Sequence, residues 1–162
     1  LAGLRRYLDS LLADHDAWLA RFAAAADQFQ EPGHWWSWLT TRRDEQPLDL
    51  KKLGVFPIVH GVRALALQNR LPELGTGERL ARLVALGKLD EELARDLQDA
   101  LHFLMATRLA HQLEQRAAGE KPNNEVRPSE LALLEREPLR NSLAVVKRFR
   151  AWLRQHFRFD TL

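Results

Sequence analysis

Apolar residues recur at helical spacing along most of this chain, and the breaks in that pattern mark where each element should begin and end. From Ala2 to Phe29 the series Leu4, Leu8, Leu11, Leu12, Trp18, Leu19, Phe22, Ala26 and Phe29 predicts one long amphipathic helix. Pro32 and Gly33 stop it. The segment from His34 to Thr41 carries Trp35, Trp36, Trp38 and Leu39, which predicts a short helix plugging one end of the core. Arg42 to Pro47 is a polar connection.

Asp49 suits the cap of a short turn through Leu53, with Gly54 ending it, and Pro57 suits the first turn of the next helix. That helix, from about Phe56 to Asn69, places Ile58, Val62, Leu65 and Ala66 on one face. Pro72 and Gly75 break the chain, and Thr76 is the expected N-cap of a short helix ending at Gly87. Asp90 then caps a helix of about seven turns to Ala118, its stripe running through Leu93, Leu97, Leu101, Leu104, Met105, Leu109 and Gln112.

Gly119 to Pro128, GEKPNNEVRP, is the clearest irregular segment. Ser129 is expected to open a short helix and Pro138 to begin the last one, whose apolar face holds Leu139, Leu143, Val146, Phe149, Trp152, Leu153 and Phe157. Nothing alternates with period two over a useful length, so no sheet is predicted. The expectation is an all-α single-domain bundle of six or seven mostly antiparallel helices.

Composition narrows this further. A chain of 162 residues, 46% hydrophobic and 28% charged, can bury a real core and falls in the ordinary globular class. It has no cysteine, which removes disulfides, thiolate nucleophiles and Cys-based zinc sites together. No apolar run approaches the roughly 20 residues of a membrane span, and the N-terminus lacks the order of a signal peptide. A cytoplasmic location is expected. The first residue is not Met, from which an excised piece of a longer polypeptide is expected. A net charge of +2 is small for a dedicated nucleic-acid binder, and no nucleic-acid partner is expected.

Standard catalytic signatures are missing: no Gly-rich phosphate loop, no HExxH, no serine-hydrolase elbow. Asp14 and Asp16 form a D-x-D pair, but on a continuous helix their side chains diverge by about 200°. His102 and His111 share a helix yet stand about 13 Å apart along it, too far for one ion. From Arg140 to Arg158 six Lys/Arg occur with no acid, interleaved with Phe149, Trp152 and Phe157. That is either a phosphate-binding surface or a terminal helix with an aromatic buried stripe and a solvated basic face. Arg150 with His156, and Arg95 with His102, fit the loose R-x(4–6)-H pattern of HEPN-type helical ribonucleases, a remote alternative.

More informative are the polar residues Asp49, Lys51, Arg63, Thr76 and Arg79 among positions that should point inward, which combine with Arg108 and Gln112 along the stripe of the long helix, with Asn124 as a cap of backbone groups in its loop and Glu135 as a group that could neutralise an arginine. Buried charge is costly unless paired or used. Such residues either brace three helices as an internal network or line a cleft for phosphate or carboxylate.

Five ordered runs, PLDLKKLGVFPIVHGVRALAL, TGERLARLVALGKL, LMATRLAHQL, PNNEVRP and LALLEREPL, resemble the C-terminal domain of bacterial nucleotidyltransferase-type proteins that carry CBS or cyclic-nucleotide-binding modules. The resemblance covers about Trp35 to Phe157. It implies the helical substrate-binding half of a two-domain enzyme, with residues 32–162 as that domain and 1–31 as a helix linking to a catalytic domain yet packed on the bundle. The catalytic half is absent from these residues, so the chain alone should be inactive. The parent would use Mg and a nucleoside triphosphate. Expected partners are the N-terminal catalytic domain and CBS or cyclic-nucleotide-binding domains of the same polypeptide, with a homodimer open. Asp49, Lys51, Arg63, Thr76, Arg79, Arg108, Gln112, Asn124, Glu135 and Arg136 match the family pattern and carry over as candidate contacts without assigned roles. The rival is a non-catalytic module that packs on neighbouring domains and binds nothing small.

Overall fold

A computed structural model describes residues 16–29 and 46–159, with Gly3, Tyr7 and Ser10. Among them are five α-helices rather than six or seven: α1 (Asp16–Ala24), α2 (Phe56–Gln68), α3 (Thr76–Ala85), α4 (Glu91–Ala117) and α5 (Leu133–His156). The expected tryptophan-rich plug from His34 to Thr41 lies outside the described residues. α1 is the described part of the long first helix and tightens into a 3₁₀ turn at Ala25–Asp27.

The two long helices α4 and α5 run antiparallel: Asp96 pairs with Arg148, while Thr107 and His111 share a cleft with Leu131 and Glu135. α2 runs parallel to α5, since Gly61 abuts Phe149 and Leu153 while Gln68 meets His156. Leu50, Leu53, Ile58, Leu65, Leu97, Leu104, Leu139, Leu143, Phe149 and Leu153 fill the space between them and are fully buried. Burying each such side chain contributes about 1.5–3 kcal/mol, so this layer dominates the stability.

Several local expectations change. Gly54 does not end the turn after Asp49. A π-helical turn, Lys51–Val55, leads directly into α2, and Gly54 is buried within it. A Cβ there would lie 2.6 Å from Leu104 Cδ1, so glycine serves close approach to α4. The N-cap of α3 is Gly75, not Thr76, and Glu78 reaches back to accept the Gly75 N–H at 3.2 Å. Asp90 does cap α4, accepting the Leu93 N–H at 3.0 Å, and Gly87 takes the left-handed φ of 64° that ends the preceding turn.

Pro138 does not begin the last helix. α5 starts at Leu133, where Glu135 accepts the Ala132 N–H at 3.1 Å, and Pro138 sits in the second turn. The carbonyl it leaves without a donor belongs to Leu134, a residue 90% exposed, so water can take that place. A short 3₁₀ turn, Pro128–Glu130, occupies the place where Ser129 was expected to open a helix. There is also a two-stranded antiparallel ladder where no sheet was expected. β1 (Leu48–Asp49) pairs with β2 (Glu125–Val126) in the register Leu48 to Val126 and Asp49 to Glu125. The stripe of α4 is corrected beyond Leu104: Met105 and Leu109 face solvent, and the buried side continues through Thr107.

Candidate functional site

Four residues past Leu104, on the same face of α4, stands Arg108; four further is Gln112. The core stripe therefore ends in two polar side chains. Gln112 Nε2 donates to the Asn123 carbonyl at 3.0 Å and to Asn124 Oδ1 at 3.2 Å. Gln115 Oε1 accepts the Asn123 N–H at 2.9 Å, and Asn123 Oδ1 accepts the Glu125 N–H at 2.8 Å. Asn124 in turn accepts the Leu50 N–H at 3.0 Å through its carbonyl. These bonds pin the irregular loop between α4 and the β1–β2 ladder, giving this end of the bundle a fixed polar frame.

Asp49 belongs to this frame as a cap. Its Oδ1 accepts the Lys52 N–H at 2.9 Å and its Oδ2 lies 3.4 Å from Lys52 Nζ. Lys51 beside it is exposed. Arg108 is half-buried, and its Nε is closed off from solvent with no hydrogen-bond partner. No carboxylate pairs with it among the described residues.

Of the remaining candidates, Glu135 and Arg136 stand at the start of α5 across from this end of α4, and the others lie farther away. Arg136 donates from Nε to the Leu131 carbonyl at 3.2 Å and from Nη2 to the Ser129 carbonyl at 2.9 Å, bracing the entry to α5. Glu135, besides capping that helix, edges a narrow cleft of about 80 Å³ with Thr107, His111 and Glu114. Thr76 and Arg79 are half-buried on α3, where Arg79 Nε donates to the Glu73 carbonyl at 2.9 Å. α3 packs near Gln98, as the approach of Gly77 to that residue shows, and Gln98 is fourteen residues from Gln112, about 21 Å along the helix axis. Arg63 was expected to face inward but is exposed on α2. Thus Asp49, Arg108, Gln112 and Asn124 gather at one end of the bundle, while Thr76 and Arg79 occupy the other. A single buried network of all the candidates does not form.

Each arginine of the two arginine-histidine pairs is bonded to an acid instead. Arg150 is buried, donating from Nε to Asp27 Oδ1 at 2.7 Å and from Nη2 to the Asp27 carbonyl at 3.2 Å, and Arg154 pairs with the other carboxylate oxygen. Arg95 is exposed and pairs with Glu91 at 3.1 Å; His102 is exposed. The basic C-terminal helix is thus a buried aromatic stripe with an outer basic face, part of which is tied to α1 and α4.

Sequence reasoning passed over Asp27, whose only signal was an acid following the run Ala23 to Ala26. It also passed over His60, buried between the Phe22 and Phe56 rings with Nε2 2.6 Å from the Phe22 carbonyl. His156 stacks on Trp152 and bonds Gln68 Oε1 at 2.7 Å beside an open groove of about 520 Å³ that includes Asp16 and Arg158. Its pKa is lowered, first by burial and then by the charge of Lys88.

Among the described residues no group of three or more His, Asp or Glu could hold a metal ion, and no helix is long and apolar enough to cross a membrane. The fold and this end of it define a helical module with a rigid polar frame and an unneutralised arginine. Residues 16–157 match the family described as "Putative nucleotidyltransferase substrate binding domain", and the chain belongs to that family. No curated protein and no solved structure matches the chain.

Proposed function

We propose that this domain holds the acceptor or the nucleotide for a nucleotidyl-transfer reaction whose catalytic residues lie on another domain of a longer polypeptide. Family membership supports the class. The observation that carries the reading is the polar end of α4, where the core stripe continues into Arg108 and Gln112 instead of closing with apolar side chains. Gln112 is satisfied by the loop, whereas the partnerless Nε of Arg108 is costly to folding and gains its reason from a ligand.

Mg²⁺ and a nucleoside triphosphate belong to the catalytic partner in this scheme. The module sits in the cytoplasm beside that N-terminal partner and CBS or cyclic-nucleotide-binding domains. By itself it transfers nothing. In the full-length polypeptide, Gln112→Ala should raise the KM for the acceptor or nucleotide several-fold while leaving kcat near wild type, the sign of lost uniform binding. An unchanged KM in a folded variant refutes the substrate-holding role.

A second reading rests on another observation. Met105, Leu109 and Leu113, at four-residue spacing on α4, are 46%, 56% and 57% exposed. Such a stripe suits docking of a neighbouring domain, with no small ligand involved.

A further inference from the structure

We infer that Arg108 is the oxyanion anchor of the ligand this domain holds, gripping a phosphoryl or carboxylate group through the edge formed by Nε and an Nη. The inference rests on the substrate-holding reading and specifies its chemistry.

Position is the first support. Leu93, Leu97, Leu101 and Leu104 are buried on one face of α4, and Arg108 is the next residue in that register. Leu104 packs against Gly54 and Gln112 is bonded to Asn123 and Asn124, so Arg108 stands on α4 between the residue that meets the π-helical turn and the one that tethers the loop.

Charge is the second. A guanidinium keeps its proton at any physiological pH, so only an anion can neutralise it. This fold shows what it does with an arginine used structurally: buried Arg150 takes the Asp27 carboxylate through its own Nε. Arg108 has no such partner: of the acids at this end of the bundle, Asp49 is engaged by the Lys52 N–H and ammonium, Glu135 caps α5, and Glu114 lines the cleft beside Thr107 and His111, none of them paired with Arg108. A closed-off Nε with no acceptor is the donor that a bidentate oxyanion would complete, since phosphate and carboxylate match the planar edge of arginine. The other orphaned buried atom among the described residues, Glu73 Oε2, lies in the connection between α2 and α3, at the opposite end of the bundle.

The test uses the 162-residue chain with three probes: inorganic phosphate, pyrophosphate and succinate. Nitrogen-edited NMR follows the arginine Nε–H signals, the Arg108 signal being the one missing in Arg108→Lys. The expected result is a saturable shift of that signal, with Arg63 unmoved and affinity about tenfold or more weaker in Arg108→Lys despite its retained charge. A response to the phosphates alone assigns a phosphoryl ligand; one to succinate alone assigns a carboxylate. Thermal unfolding gives a second readout: Arg108→Met should raise Tm by about 2–4 °C without probe and abolish the rise that the probe gives the wild type.

An Arg108 signal unmoved by all three probes overturns the assignment, as does an equal shift at every arginine or a clear loss of Tm in Arg108→Met. If the anchor fails while Gln112→Ala still raises KM in the full-length polypeptide, the substrate-holding reading stands without it. If both variants leave KM unchanged, both fall.

Discussion

Asp27→Ala should be among the most damaging single substitutions outside the apolar core, and the structure says why. Asp27 lies in the 3₁₀ turn after α1 and meets Arg150 on α5, 123 residues away; the two side chains are 14% and 7% exposed. Removing one partner of a buried pair typically costs 3–5 kcal/mol, because the other charge stays buried without compensation. Arg150 would keep its bond to the Asp27 backbone carbonyl, and the exposed Arg154 contact contributes little, so the low end applies, about 3 kcal/mol. Arg150→Met removes the buried cation and leaves Asp27 with Arg154, for a cost nearer 1 kcal/mol. The double variant Asp27→Ala, Arg150→Met should therefore be more stable than Asp27→Ala alone by roughly 2 kcal/mol, opposite to additivity. Urea unfolding followed by circular dichroism, with m-values compared, measures all three. Amide exchange over residues 16–27 should also accelerate in Asp27→Ala, since this pair ties α1 to the bundle. A double variant as unstable as the sum of the singles would refute the reasoning, as would an Asp27→Ala cost below about 1 kcal/mol.

Gly61→Ala places a Cβ 2.5 Å from Leu153 Cδ1 and 2.6 Å from Phe149 Cε1, both on fully buried residues, so overpacking should outweigh the better helix propensity of alanine and cost about 1–2 kcal/mol by urea titration. A neutral or stabilised variant would show that α2 and α5 separate freely. For His156, the folded pKa lies below the usual 6.5, so the unfolded state binds the extra proton between the two values. Its contribution is present above about pH 6.5 and is lost as pH falls toward the folded value; Tm measured from pH 8 to 5 should decline more gently in His156→Gln. Leu109→Asp, on an exposed site, should change stability by no more than about 0.5 kcal/mol while abolishing association with a separately expressed neighbouring domain, if that stripe is a docking face. Association that survives the charge removes the docking reading.

The sequence by itself determined what depends on neighbours in the chain. α4 was legible from the Asp90 cap and the Leu93 to Leu104 stripe, and the turn at Gly87 from the backbone freedom of glycine, because each is set within a turn or two. The five family runs likewise pointed to the family that residues 16–157 match. The tertiary structure decided everything that needed a distant partner. The β1–β2 ladder is only two residues long on each side and has no alternation to read; it exists because Gln112 and Gln115 hold the Asn123–Asn124 turn against Leu50. Pro138 could look like a helix start because proline is welcome there, yet Glu135 had already closed an earlier one. Arg63, Arg108 and Arg150 all read as cations on apolar helices, and periodicity could not sort them. One faces water, one is buried against Asp27, and one is half-buried with its Nε closed off and unanswered, since burial and neutralisation belong to the packed surroundings and not to the spacing of the helix that carries the charge.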